Sequence, residues 1–162
     1  MTTTIKTPVV IGEESTQILV LSDTIVFKVP VSGVIEEKFD IKISDCKVCP
    51  DTVVFNGTVR KDIIYKEPPD SFNEGAVRYH EENYNFGGIF EIKGVRVGDM
   101  CHVEKTEVVK ANYFIPQTFD NNGNILTAMQ KFIVDISMKV TREQQIEVMP
   151  GGSLERRLRK KM

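Results

Sequence analysis

The chain has 162 residues, of which 41% are hydrophobic and 27% are charged, and its formal net charge is −2. This length fits one domain, and the apolar content is enough for a core, which argues against general disorder. The small net charge favours neither nucleic acid nor an acidic membrane as a partner, and no apolar run reaches the roughly 18 residues of a membrane-spanning helix. Residues 1–15 lack the basic and apolar regions of a signal peptide, which predicts synthesis in the cytoplasm without export by the common route.

The N-terminal part of the chain predicts a loose end followed by short strands. Met1–Ser15 is predicted to be a flexible extension with one short strand at Val9–Ile11. The β-rich runs Thr16–Leu21 and Thr24–Val29 come next, and Ser22–Asp23 between them has the composition of a tight turn. A free extension of this kind is a natural donor for strand addition to another copy.

Alternating side chains predict two further strands before residue 66. In Ile35–Ile43 the apolar residues fall on every second position, which is typical of a half-buried strand. Ser44–Asp51 is rich in turn residues, carries two cysteines and is predicted to be a connection. Val53–Tyr65 is a second long strand, in which Gly57 predicts a bulge or the close approach of another backbone.

The middle of the chain predicts a loop, a strand and a turn. The two prolines and the polar residues of Glu67–Gly75 predict a loop. Ala76–Phe90 is predicted to form two strand pieces, or one strand bent at His80–Asn83, with a break at Gly87–Gly88. Gly94–Asp99 has the composition of a turn.

The most regular segment lies near the C-terminus. In Leu126–Val140 the apolar residues from Phe132 onwards occupy every second position, which predicts the central strand of an all-β domain. Asn122–Gly123 is the strongest hairpin signal in the chain. We therefore expect Met100–Ile115, with Pro116 as its end, to be the antiparallel neighbour of Leu126–Val140.

These elements predict an all-β fold, an antiparallel β-sandwich of the jelly-roll kind. The predicted organisation is an N-terminal extension at 1–15, a sandwich domain at 16–148 with a last strand at Ile146–Val148, and a short basic tail at 149–162. Two interpretations of the tail are open: a solubilising end, or a segment that contacts nucleic acid, an anionic membrane or an acidic neighbouring subunit.

The three cysteines, Cys46, Cys49 and Cys101, allow several interpretations. Cys46 and Cys49 form a C-x-x-C pair, but no strand–helix context for a redox motif is present. A zinc site would need all three cysteines together with His80 or His102. Cys101 and His102 are a poor pair of ligands, because adjacent residues of a strand point to opposite faces. The remaining interpretations are cross-links between copies in an oxidising place, for which all three are candidates, and simple structural or exposed thiols.

No other pattern predicts catalysis, a cofactor or a metal. A Cys–His nucleophile needs an orienting group, and neither histidine lies in such a local pattern. Neighbouring carboxylates diverge along a strand, so Glu13–Glu14, Glu36–Glu37 and Glu81–Glu82 are predicted to be solvated faces. The glycines of the Gly94–Asp99 turn are not followed by the Lys-Ser/Thr of a phosphate loop. The expected protein is not an enzyme.

One part of the chain resembles a known family. Asn56–Tyr65, NGTVRKDIIY, matches a strand pattern with Gly, an apolar residue, Lys, Ile and Tyr at alternate positions, and Tyr84–Gly98 followed by an apolar strand is a second match. Across most of Thr16–Val148 the chain is similar to the SPOCS domain, a sporulation-associated, SipL-like domain of clostridia and other spore-forming Firmicutes.

The resemblance implies an all-β domain that acts in spore envelope assembly. In the best-known member, the domain is joined to a peptidoglycan-binding LysM module and binds a coat morphogenetic ATPase. No LysM-like segment is visible after Val148, where few residues remain. The resemblance carries over no catalytic residues.

Two functions therefore remain open. The first is a structural protein of the spore coat, exosporium or a spore appendage, which forms a homo-oligomer or polymer through strand edges, its N-terminal extension and disulfides. The second is an adaptor that recruits another spore envelope protein, a coat morphogenetic protein. Both predict deposition on the spore surface after synthesis in the cytoplasm.

Overall fold

Alternating apolar side chains build an all-β molecule, as predicted. The computed structural model describes residues 2–148 of the chain, apart from the side chains of residues 110–112. This part contains seven strands: β1 (Thr3–Leu21), β2 (Ile25–Val31), β3 (Gly33–Cys49), β4 (Thr52–Lys66), β5 (Val77–Glu91), β6 (Met100–Phe119) and β7 (Ile125–Val148).

The strands form two antiparallel sheets, which confirms the predicted β-sandwich. In the first sheet β7 is central, with β1 and β2 on one side and β6 on the other. In the second sheet β4 lies between β3 and β5. The edge strands meet across the sandwich, β1 against β5 and β3 against β6.

Strand β7 is the central strand that the sequence predicts. Its inward-facing side chains are almost completely buried and line the larger of two apolar clusters: Phe132, Val134, Ile136, Met138 and Val140. The strand also continues to Val148, so the separately predicted strand Ile146–Val148 is its end.

The β6–β7 hairpin is confirmed. In the turn the carboxylate of Asp120 accepts the backbone N–H groups of Asn122 and Asn124, and Gly123 has a φ of 81°, a conformation that favours glycine. The prediction that Pro116 ends β6 was wrong, because this strand pairs with β7 as far as Phe119. A proline is tolerated there because β6 is an edge strand with a register shift beside this residue.

The predicted turn at Ser22–Asp23 does not reverse the chain. Strands β1 and β2 run in the same direction along one side of β7, separated by a short interruption. At the interruption the Ser22 N–H donates to the Gln130 carbonyl (2.9 Å), and Ser22 Oγ accepts the Gln130 N–H (2.7 Å). The serine side chain thus preserves the pairing where the ladder is broken.

The prediction of a flexible extension at Met1–Ser15 was also wrong from Thr3 onwards. These residues belong to β1 and pair with the C-terminal half of β7, from Thr3 opposite Val148 to Ser15 opposite Ser137. The segment is therefore not a free donor strand in this structure. Its partner lies more than a hundred residues away, which local composition does not reveal.

Two glycine predictions had opposite outcomes. At Gly57 a Cβ would lie 2.6 Å from the Lys42 carbonyl oxygen, and the facing strand β3 shifts register there, so both the close approach and the bulge are present. Gly87–Gly88 does not break β5, which runs without a register shift through His80–Asn83 as well. A Cβ on Gly88 would lie 2.9 Å from the Phe55 ring, so this glycine permits close packing.

The connection predicted at Ser44–Asp51 is mostly strand. Strand β3 continues to Cys49, and the chain turns only at Pro50 and Asp51, where the φ of Asp51 is 57°. The predicted loop at Glu67–Gly75 and the turn at Gly94–Asp99 lie outside the strands as expected.

Candidate functional site

A polar layer separates the two apolar clusters of the core. The larger cluster fills most of the sandwich, and the smaller one contains Ile25, Phe27, Val31, Ile63, Tyr65 and Ala128. Between them lie Lys61 of β4 and Gln130 of β7, both 0% exposed, and Glu37 of β3. All three occupy inward-facing positions of their strands, where apolar residues are the rule.

Lys61 is in direct contact with both of the other side chains. Lys61 Nζ donates to Glu37 Oε1 at 2.5 Å and also contacts Gln130 Oε1. The rings of Phe39 and Phe114 flank the nitrogen, each with its centroid 5.2 Å away. The amine is therefore held against one carboxylate and one amide within an aromatic enclosure.

Burial and charge act on the lysine in opposite directions. Burial lowers the pKa of Lys61, because it disfavours the charged form, whereas the hydrogen bond and the negative charge of Glu37 raise it. The Glu37 side chain is 26% exposed, so its carboxylate connects the polar layer to solvent.

A further polar group lies in the core. The hydroxyl of Tyr84 is buried near Ser22 without a well-formed hydrogen bond, and burial raises the pKa of this phenol.

The sequence contains a signal for this layer that composition alone does not reveal. Lys61, Glu37 and Gln130 each fall on the apolar register of an alternating strand, with Val59, Phe39 and Phe132 respectively as neighbours two residues away. Glu36 is solvated as predicted, whereas Glu37 lies on the inward face of β3 and is only 26% exposed. Only the facing strand shows why a carboxylate lies there.

Two of the three cysteines are bonded to each other within the chain. Cys46 of β3 and Cys101 of β6 form a disulfide, with Cα atoms 6.5 Å apart, and both sulfurs lie against Met138 Sδ, at 3.9 and 3.6 Å. While this disulfide is formed, neither residue is available for a cross-link between copies or as a thiolate ligand for zinc. Cys49 keeps a free, partly buried thiol.

The histidines and the remaining carboxylates do not converge with the cysteines. His80 Nε2 lies 2.7 Å from Glu82 Oε1, and His102 Nε2 lies 2.8 Å from Thr141 Oγ1. Within residues 2–148 no group of three or more His, Cys, Asp or Glu side chains is arranged to hold a metal ion. The same residues contain no helix long and apolar enough to cross a membrane.

One end of the molecule is a two-stranded ribbon. Strand β6 begins at Met100, opposite Thr141, so beyond that point β7 pairs only with β1 among the described residues. We call the paired segments Thr3–Val9 and Arg142–Val148 the β1–β7 ribbon. Arg142 anchors its base through Asp99, with Nε to Oδ1 at 2.8 Å, and this ion pair lowers the pKa of the Asp99 carboxyl. Among residues 2–148, neither long edge of the ribbon pairs with a further strand.

A second exposed feature lies on the outer face of the first sheet. Large apolar side chains project to solvent there on β1, β2 and β6, around the central strand: Leu19, Leu21, Val26, Tyr113 and Ile115. We call this set the outer patch. The same face is polar nearer the ribbon, where Gln17 and Ser15 pair with Asp135 and Ser137.

These features define an antiparallel β-sandwich with a buried Lys–Glu–Gln layer, an inter-sheet disulfide and an open two-stranded ribbon. The family model of the SipL SPOCS domain matches residues 30–115, just over half of the chain. The protein belongs to the SipL SPOCS domain family, so it carries a sporulation-related domain of a family not known for enzymes. Comparison with curated proteins and with solved structures found no match.

The strand pattern behind the resemblance is a buried face. Gly57, Val59, Lys61, Ile63 and Tyr65 are the inward-facing residues of the second half of β4. The matched residues include Lys61 and Glu37, whereas Gln130 and the β1–β7 ribbon lie outside the match.

Proposed function

We propose that the protein is a non-enzymatic structural component of the bacterial endospore envelope that self-assembles through its strand edges. It would be made in the cytoplasm and deposited on the spore surface, in the coat, the exosporium or an appendage. The sporulation-related family supports the setting. The open β1–β7 ribbon is the observation that supports assembly, because unpaired strand edges are templates for strands of another chain.

The ribbon carries apolar side chains on one face and charged side chains on the other, as in a strand pair of a larger sheet. One face carries Ile5, Ile146 and Val148, and the other carries Lys6 and Glu147. A two-stranded ribbon is marginally stable alone in water, and an added strand completes hydrogen bonds and covers apolar surface. A second copy of the chain supplies such a strand from its own ribbon.

The position of Pro8 indicates which backbone groups are open. Proline has no N–H, and in an edge strand its nitrogen faces away from the partner. The pair of Pro8 with Glu143 is therefore a non-hydrogen-bonded pair, so Glu143 and the alternate residue Gln145 direct N–H and C=O groups away from β1. The same alternation directs the backbone groups of Lys6 away from β7.

Gln145→Pro is expected to abolish self-association, because it removes a donor from the open edge of β7 while leaving the pairing with β1. Light scattering after size exclusion and electron microscopy of the full-length protein measure the assembly. Lys6→Pro, which alters the opposite edge of the same ribbon, is the matched control and is expected to retain contacts made through β7. Wild-type protein that stays monomeric at high concentration, oxidised or reduced, would overturn the proposal.

A second candidate function is an adaptor that recruits a coat morphogenetic protein. The outer patch favours it, since several large exposed apolar side chains on one face of a sheet often mark a protein interface. Leu19 and Leu21 are 60% and 56% exposed and lie on the rows of Ile133 and Lys131 across the sheet.

Leu19→Lys is expected to lower the yield of a stoichiometric heterocomplex from sporulating cells at least about tenfold, because it places a charge in the desolvated centre of an interface. Gln17→Lys is the matched control, on the same strand and face but outside the outer patch. Recovery of the protein alone, or equal yields from both variants, would contradict the adaptor function.

A further inference from the structure

We propose that Lys61 and Gln130 become joined by an intramolecular isopeptide bond, with Glu37 as the group that transfers protons. The bond would link Lys61 Nζ to Gln130 Cδ and connect the central strands of the two sheets. This modification is independent of the proposed assembly function.

The first support is placement. The amine nitrogen and the amide oxygen are in direct contact, and both side chains are completely buried on strands that face each other. The backbone N–H of Gln130 is held by Ser22 Oγ, and its side-chain Nε2 donates to the Lys131 carbonyl at 3.3 Å. When a nucleophile and an acyl group are held together in this way, their reaction is intramolecular. Such an arrangement is equivalent to a very high effective concentration of one group around the other.

The second support is the surroundings of the amine. An amine attacks only in its neutral form, and a desolvated lysine beside apolar groups gives up its proton more readily than one in water. Lys61 is 0% exposed, and burial lowers the pKa of its amine; the rings of Phe39 and Phe114 are among the groups beside Nζ. Lys61 and Gln130 are both 0% exposed, so water, the competing nucleophile, does not touch the reacting atoms even though the Glu37 carboxylate meets solvent.

The third support is the carboxylate. Glu37 Oε1 lies 2.5 Å from Lys61 Nζ, so it is in position to accept the first proton. General acid–base groups must lie within hydrogen-bond reach of the proton they move, and Glu37 meets this condition. Its partial exposure gives the proton a route to solvent.

The reaction balances without a further reagent. The Lys61 ammonium transfers one proton to the Glu37 carboxylate, and the neutral amine attacks Gln130 Cδ to form a tetrahedral intermediate. The second proton of the amine passes, through Glu37, to the amide nitrogen. The bond from Cδ to that nitrogen breaks, ammonia leaves, and the C–N bond of a secondary amide remains. The proton left over goes to solvent.

Intact mass spectrometry of the reduced, full-length protein tests the proposal. The expected mass is below the sequence mass by one ammonia, about 17 Da, and digestion is expected to release one branched peptide that contains both Lys61 and Gln130. A wild-type mass equal to the sequence mass overturns the proposal whatever the assembly state of the protein.

Variants assign the chemistry. Lys61→Arg and Glu37→Gln are expected to have their full sequence masses, whereas Glu36→Gln, the exposed neighbour, is expected to lose ammonia as the wild type does. Circular dichroism checks that each variant folds. Loss of ammonia that persists in Lys61→Arg would overturn the proposal, because succinimide formation at Asn122–Gly123 produces the same change in mass.

Discussion

Replacing Phe132 by Ala is expected to lower the free energy of unfolding by about 3–5 kcal/mol. The side chain is completely buried in the larger cluster. Its ring packs against Phe39 of the opposite sheet, with centroids 5.3 Å apart, and against Tyr84, at 5.4 Å. Truncation removes these contacts and leaves a cavity that stiff strands on both sides cannot close.

Urea unfolding of the full-length protein measures the loss, and Ile133→Ala is the matched control. Ile133 is the next residue of β7 and points to the outer face, so its truncation is expected to cost about 1 kcal/mol or less. Equal losses in the two variants would contradict the assigned register, because a slip of one residue exchanges the faces of a strand.

Removing the disulfide with the double substitution Cys46→Ala and Cys101→Ala is expected to cost about 2–4 kcal/mol of stability under oxidising conditions. The bond closes a loop with a sequence separation of 55 residues and ties the edge strands β3 and β6 of the two sheets. In the chain-entropy model a loop of this size corresponds to about 4 kcal/mol, which is the upper end of this range.

The measurement is urea unfolding with and without a reducing agent. The double variant is expected to behave alike in both conditions, whereas the wild type is expected to become less stable when reduced. Cys49→Ala is the control, because this cysteine is free. If Cys49→Ala reproduces the loss and the double variant does not, the assigned pairing is wrong.

The two sheets are tied at two levels. The disulfide holds one pair of edges, and the Lys61–Gln130 contact holds the central strands. A polar layer of this kind contributes little net stability as an ion pair, because desolvation offsets the charge attraction. A covalent bond at this place would change that balance, which suits a protein proposed to last on a spore surface.

Much of the fold could be predicted because a strand's period is local. The alternation in Leu126–Val140 was enough to identify β7 and its buried face, and Asn122–Gly123 was enough to pair it with β6. The pattern around Gly57 likewise identified β4, and its inward positions carry the family resemblance. Each of these inferences depends on residues that are neighbours in the chain.

Only the tertiary structure shows which distant residues pair with one another. The pairing of Thr3–Ser15 with β7, the disulfide between Cys46 and Cys101, and the meeting of Glu37, Lys61 and Gln130 all join residues distant in sequence. From composition, Thr3–Ser15 was predicted to be a flexible extension, the cysteines had several open interpretations, and Glu37 was predicted to be a solvated charge. The physical reason is that the period of a strand determines which face a side chain takes, whereas packing of one sheet on another determines what that face meets.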